Sequence, residues 1–430
     1  IVNMKTRTLL IGILLTAGCG ANISAQQPVP EKPRILISTD IGGTDPDDNQ
    51  SVAHFLMYSN RFETEGLVSS PSYGNGSKEE LFRMIDLYEK DLPRLQAHED
   101  GFPTPDALRA VCKQGSRGAA PFCGYGEPTE GSEWIVSCAR RESSRPLWIL
   151  VWGGLDDVAQ ALHDVPDIKK NIRVYWIGGP NKKWSVDSYH YIIANFPDLW
   201  FIENNTSYRG FTADKKKQDA CNALFYDTYV RGAGNLGADF IDYYEGLPKL
   251  GDTPSLLYMM DGDPDDPYRE SWGGSFCKTS HTPRTVFRRT ATAKDTVQIC
   301  SMIEFYVKGP VLPIASDSAC ITLTVRNQKW AGRYLGNGEY MVRHSTYYTG
   351  TLPYTITSDI PGFPEQNGFF TVANRWDKQV ADTDYRVGEN WYTDNYDPAL
   401  MERNNAGALT TSKWRNAVIE DWGKRWGWLK

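Results

Sequence analysis

The stretch Arg34-Ile35-Leu36-Ile37-Ser38-Thr39-Asp40-Ile41-Gly42-Gly43-Thr44-Asp45-Pro46-Asp47-Asp48 decides how this 430-residue chain is read. Its first six residues form a short, β-branched apolar run, the pattern of a strand buried on both faces. A glycine turn follows, and then Val52, Phe55, Leu56 and Ser59 recur at helical spacing. Strand, turn and helix in that order form the repeating unit of a wound parallel sheet.

The same alternation continues outward. Leu67-Val68 reads as a brief strand and residues 79–90 as a helix. Residues 147–152 (LWILVW) read as the central strand, followed by a helix over 155–163. Strands at 172–177 (IRVYWI) and 199–202 (LWFI) complete the series. The fold class predicted is α/β, a doubly wound, mostly parallel sheet whose ligands sit in the loops at the carboxyl ends of its strands. Beyond residue 283 the texture changes to Thr/Val/Tyr alternation with glycine turns, as in Ile321-Thr322-Leu323-Thr324-Val325. That texture predicts an inserted antiparallel β-sandwich. The tail then returns to helix: Thr411 or Ser412 can cap a segment in which Trp414, Val418, Trp422 and Trp426 form a core-packing stripe. The expected organisation is a signal peptide over 1–25, the first part of the α/β domain over 26–284, the insert over 285–373, and completion of the α/β domain over 374–430.

Formal charge is −7, with no run of five like charges, so a nucleic-acid partner is excluded for want of a basic face. Met4-Lys5-Thr6-Arg7 before an apolar run from Leu9 to Ala17 has signal-peptide proportions and is too short to span a bilayer. Two processing sites are open. Cleavage after Ala25 is favoured; the alternative is a lipoprotein box ending in Cys19, in which Thr16 stands where leucine is usual. Export to the periplasm or beyond is expected either way, with membrane attachment only through a lipid on Cys19. Seven further cysteines leave at least one thiol unpaired, and Cys112–Cys123 and Cys300–Cys320 are the expected short-loop disulfides.

Four aspartates within nine residues, on a turn at a strand's carboxyl end, repel one another unless something positive neutralises them. One of them suffices to cap the following helix, so the surplus points to a hard cation, calcium above magnesium, or to catalysis. The segment resembles the N-terminal signature of nucleoside hydrolases. It is closer still to their secreted bacterial relatives, a nucleoside-hydrolase-like family that includes proteins described as cellulose-binding. The matching signature is Thr39 to Asp48, supported by Val151-Trp152-Gly153-Gly154, Gly251-Asp252-Thr253-Pro254-Ser255, Trp272-Gly273-Gly274, Lys413-Trp414-Arg415 and Asp421-Trp422.

That resemblance implies calcium held by Asp40, Asp48 and Asp252, with the Gly153–Asp156 loop adding a backbone ligand and Asp156 at the matching position. It implies Asp47 on sugar hydroxyls and Asp40 as the base acting on a metal-activated water. A single attacking water without a covalent intermediate gives inversion. Departures are equally plain. Ser38 stands where nucleoside hydrolases carry another aspartate, and their turn is three residues shorter. Their Glu-Phe-Asn ribose segment has no counterpart between Trp184 and Asn195. For the leaving-group acid, His190, Asp187 and Glu203 are candidates by location.

Trp152, Trp184 and Trp272 lie in or beside the post-strand loops and could stack on sugar rings. A second acidic loop, Asp261-Gly262-Asp263-Pro264-Asp265-Asp266, lacks the Glu that an EF-hand needs and reads as solvated. The stretch Trp330 to Arg343, with Gly350, Tyr354, Ser358 and Gly368-Phe369-Phe370, resembles the immunoglobulin-like module that precedes many bacterial glycoside hydrolases. The leading expectation is an exported calcium-dependent hydrolase of a glycosidic bond in a polysaccharide-derived glycan. A non-catalytic carbohydrate-binding protein and a nucleoside N-ribohydrolase are the alternatives.

Overall fold

In the computed structural model, which describes residues 31–74, 76–212, 222–374 and 380–430, Ile35, Leu36 and Ile37 have no exposed surface. They lie in β1 (Arg34–Thr39), flanked by parallel partners on both sides. The other strands of the sheet are β2 (Glu63–Ser69), β3 (Cys112–Gln114), β4 (Leu147–Val151), β5 (Ile172–Ile177), β6 (Trp200–Asn204), β7 (Phe276–Lys278) and the late strand Trp391–Asp394. Their order is β3-β2-β1-β4-β5-β6, then Trp391–Asp394, then β7. Every pair is parallel except the last.

Side chains on a strand alternate between faces, and two apolar cores result. Ile35, Ile37, Leu150 and Trp152 share one face with α1 (Asp47–Tyr58), α2 (Lys78–Gln96) and the C-terminal helix Arg415–Trp428. Leu36, Ile149, Val151 and Trp176 share the other with α3 (Glu130–Ala139), α4 (Asp156–Asp164) and α5 (Val186–Asn195). Trp422 and Trp426 are fully buried, and Trp422 stacks on His54 at 4.3 Å. The expected Thr411 or Ser412 cap is absent. The helix starts one turn later, after Trp414, and the Thr411 hydroxyl donates instead to the carbonyl of Ser207 at 2.6 Å.

Strand β2 is longer than its apolar pair suggests, because Glu65 hides in it at 2% exposure. Arg34 neutralises that carboxylate from the neighbouring strand through Nε at 2.5 Å and Nη2 at 3.2 Å. A two-pronged pair of this kind tolerates burial where a lone charge would not.

Residues 284–373 form a separate, mostly antiparallel sheet of eight strands in one continuous order, curled around Phe305, Leu323, Tyr340, Ile356 and Phe370. Its first strand, Arg284–Phe287, and the short strand Thr296–Gln298 pair in parallel at the two ends. Residues Pro33–Lys430 form one compact unit.

The six described cysteines are all free thiols, which corrects the expected Cys112–Cys123 and Cys300–Cys320 pairs. Cys112 and Cys300 are buried, which pushes each thiol up to about 12, whereas Cys123 is exposed. The signal peptide, Cys19 and Cys221 lie outside the described residues. Among the described residues no helix is long and apolar enough to cross a membrane.

Candidate functional site

The turn after β1 is shaped by close approaches. Gly42 has φ +82°, and a Cβ there would sit 2.9 Å from the Cβ of Ser77. The turn closes through Gly43 N donating to Asp40 O at 3.0 Å, and α1 then begins at Asp47. Asp47 and Asp48 therefore occupy the first turn of a helix, where the dipole favours negative charge. Asp252 immediately precedes the helix Thr253–Met260 and so meets them from a separate element. Carboxylate oxygens of Asp47, Asp48 and Asp252 all lie within 4.8 Å of one another, and all three residues are buried. Gly251 makes this approach feasible: a Cβ there would lie 2.2 Å from Asp47 Oδ2.

Asp40 joins the group from the end of β1. It shares a hydrogen bond with Asp48. Its Oδ2 accepts from the Ser72 hydroxyl, which also lies 2.8 Å from Asn181 Oδ1. Asn181 is oriented by its amide donating to the carbonyls of Trp152 and Ile177, each at 3.0 Å. Thr39 donates to Asp48, while Lys249 contacts Asp45 and lies 3.2 Å from Asp47 Oδ2.

Burial raises the pKa of this group first, and mutual repulsion raises it further. Asp48 and Asp252 stand well above the usual carboxylate range, and Asp47 is pushed up to about 7. Three acceptor-only carboxylates that cannot comfortably ionise together are a donor set suited to a hard divalent cation. The residues present fit such an ion.

Above the cluster lies a cavity of about 260 Å³ lined by Asp40, Asp48, Asp252, Asn181, Arg209 and Tyr347, among others. That is just below the roughly 300–1,000 Å³ typical of small-molecule pockets, so it has room for about one sugar unit. Tyr347 is supplied by the β-rich domain, which makes the site a joint construction. A larger groove of about 760 Å³ surrounds Arg34, Arg145 and Lys169 at the opposite ends of the strands and contains none of these groups.

Several expected residues are elsewhere. Asp156 does not reach the cluster, because its carboxylate accepts from Ala120 N at 2.6 Å and from the Ser188 hydroxyl at 3.1 Å. His190 is also outside: Nδ1 meets the Tyr385 hydroxyl at 2.6 Å, and burial holds its pKa down at about 3. Asp187 pairs with Arg343 at 2.7 Å, and Glu203 with buried Lys182. Of the three tryptophans, Trp152 lines the cavity but is fully buried, its Nε1 donating to Ser255, so no ring face is open to a sugar. Trp184 stacks between Tyr73 and Trp330, and Trp272 packs on the core. Sequence reasoning missed Ser72, Asn181, Lys249, Arg209 and Tyr347. Asn181 follows Gly178-Gly179-Pro180 at the carboxyl end of β5, a place the sheet rule singles out; nothing local marked Arg209 or Tyr347.

A family model described as "Cellulose-binding Sde182, nucleoside hydrolase-like domain" matches residues 34–276. A solved nucleoside hydrolase-related protein of Saccharophagus degradans, associated with carbohydrate metabolism, is 19% identical. The match covers 80% of this chain and 100% of that one, at a TM-score of 0.49. A purine-preferring ribonucleoside hydrolase of Gardnerella vaginalis is 14% identical over 58% of this chain and 83% of its own, at a TM-score of 0.37. An inosine-uridine preferring nucleoside hydrolase of Bacillus anthracis is 12% identical over 79% and 94%, at 0.36. No curated protein matches the sequence.

Proposed function

The chain belongs to the family of cellulose-binding, nucleoside hydrolase-like domains, and from that premise we propose that it is an exported, calcium-dependent hydrolase cleaving a glycosidic bond in a polysaccharide-derived glycan. The observation that carries this reading is the convergence of Asp47, Asp48 and Asp252 within 4.8 Å, with Asp40 bonded alongside.

Asp47, Asp48 and Asp252 would hold the calcium, Asp47 taking the ligand place that the resemblance gave to Asp40 instead of a sugar hydroxyl, and calcium's tolerance of six to eight oxygen ligands suits an irregular carboxylate set. When bound, the ion supplies charge that makes a nearby water more acidic. Asp40 then accepts the proton, with the Ser72 hydroxyl fixing its free oxygen. The water oxygen bonds to the anomeric carbon as the glycosidic C–O bond breaks, which inverts the configuration, and the departing sugar oxygen takes its proton from solvent water. Lys249 holds Asp45 and steadies Asp47 from the cavity rim. In this reading residues 285–373 are an inserted immunoglobulin-like module that shapes the cleft, and residues 374–430 complete the α/β domain.

A non-catalytic carbohydrate-binding protein is the second reading. It is favoured by Ser38, whose hydroxyl is buried without a hydrogen-bond partner where nucleoside hydrolases carry an aspartate. The deciding experiment incubates purified protein with polysaccharide fragments and with inosine, with and without EDTA. Glycan cleavage that EDTA stops while the fold persists supports the hydrolase. Glycan binding without cleavage supports the second reading, and inosine cleavage indicates a nucleoside N-ribohydrolase.

A further inference from the structure

One wall of the cavity is made of cations and rings instead of carboxylates. Arg209 lies in the turn Ser207–Phe211 that follows β6, half-buried and lining the cavity. Its guanidinium is 5.3 Å from the ring centre of Tyr208 and 5.0 Å from that of Tyr347. Tyr208 acts on it most strongly and burial next, and it forms no ion pair among the described residues. Lys249, the other cation of the cavity, is by contrast answered by Asp45 and Asp47.

Two more cations stand behind Arg209. Lys183 is 6% exposed and donates to Gln328 Oε1 at 2.7 Å, with the rings of Trp184 and Tyr347 at 4.9 and 5.3 Å. Arg326 lies 3.9 Å over Tyr348, whose ring centre is 4.2 Å from that of Tyr347. Three cations thus gather on one tyrosine pair, and no carboxylate among the described residues pairs with any of them. Arg326 is exposed, but burying Lys183 and half-burying Arg209 without an anion is costly, and Asp45 and Asp47 already answer Lys249.

We propose that this wall reads a carboxylate on the substrate, so that the glycan carries uronic acid units. Arg209 pairs with the sugar carboxylate, whose two coplanar oxygens match the guanidinium fork. Tyr347 offers its ring to the sugar face, and Lys183 and Arg326 extend the positive wall toward the next unit. The inference rests on the glycan reading above and names the class of sugar that reading leaves open.

The test measures calorimetric binding of trigalacturonate, its methyl ester and a sulfated neutral trisaccharide to the full chain, at fixed excess calcium. The uronate should bind at least tenfold more tightly than the ester, with the advantage shrinking as salt rises. Arg209→Gln should erase that advantage and leave ester affinity unchanged, while Arg209→Lys should restore part of it. Equal affinity for acid and ester, loss of both in Arg209→Gln, binding of neither, or preference for the sulfated sugar each overturns the proposal. EDTA-sensitive cleavage of a neutral glycan without uronate preference would sink this inference and leave the hydrolase standing. Uronate preference without any cleavage would do the reverse.

Discussion

Residues 40–48 and 261–266 each carry four aspartates around a glycine-containing turn, and the structure gives them opposite fates. In the second loop Asp263, Asp265 and Asp266 keep 43%, 74% and 41% of their side-chain surface. Arg269 and Arg173 answer them one by one, as solvated surface pairs do. In the first loop Asp47 and Asp48 are buried, and Asp252 arrives from about 200 residues away to make the crowding worse. The aspartate count is the same in both. What makes a site of one is burial together with a third element aimed at the same point.

That contrast can be broken most forcefully through turnover. Asp40→Asn should lower kcat/KM on a cleaved glycan by about 10²–10⁴-fold, the usual worth of a positioned base, while Asp263→Asn should stay within twofold. Retention of a tenth of wild-type activity by Asp40→Asn would end its role as base.

Next in size is the pH dependence of stability in EDTA. Asp47 has a folded pKa raised from 3.8 to about 7, chiefly by burial. Between those values the folded protein keeps a proton that the unfolded chain has released, so stability is highest below the lower value and falls as pH rises through the window. Relative to Asp47→Asn, wild type should lose about 1.4 kcal/mol per pH unit there, read from urea melts. Parallel curves for the two proteins would show that Asp47 is not strained.

Calcium should then raise the melting temperature by the equivalent of about 2.7 kcal/mol at a hundredfold excess over Kd. Asp252→Ala should abolish the shift and Asp265→Ala should keep it; a shift surviving Asp252→Ala would place the ion elsewhere. Smallest of all, Asp265→Ala should change stability by less than about 0.5 kcal/mol, as exposed pairs do. A larger loss would make the second loop structural.

The parallel sheet was legible because its strands are runs of apolar residues, and the acidic turn because its four aspartates are neighbours in sequence. Asp252 was found by resemblance, since spacing alone says nothing about a residue two hundred positions away. Asp156 and His190 were misplaced for one reason: a position near a post-strand loop does not fix where a side chain points. Asp156 turns to Ala120 and Ser188, and His190 to Tyr385. Polar residues that pair across strands also escaped, as Glu65 did by meeting Arg34. Arg209 and Tyr347 were invisible because they meet only when the β-rich domain closes on the sheet.

The late strand Trp391–Asp394 bears on how the molecule is made. It inserts between β6 and β7, with Trp391 Nε1 reaching Glu203 across 188 residues of chain. Until that strand emerges during synthesis, β6 has an unpaired edge that invites pairing with another molecule. The β-rich domain, whose contacts lie closer together in sequence, can form while the sheet waits. Completion of the sheet therefore waits on a closure across 188 residues, and slow, non-local pairing leaves such edges open to aggregation. A chain that stops at residue 373 would lose more than its tail: it would keep a nascent sheet permanently split between β6 and β7.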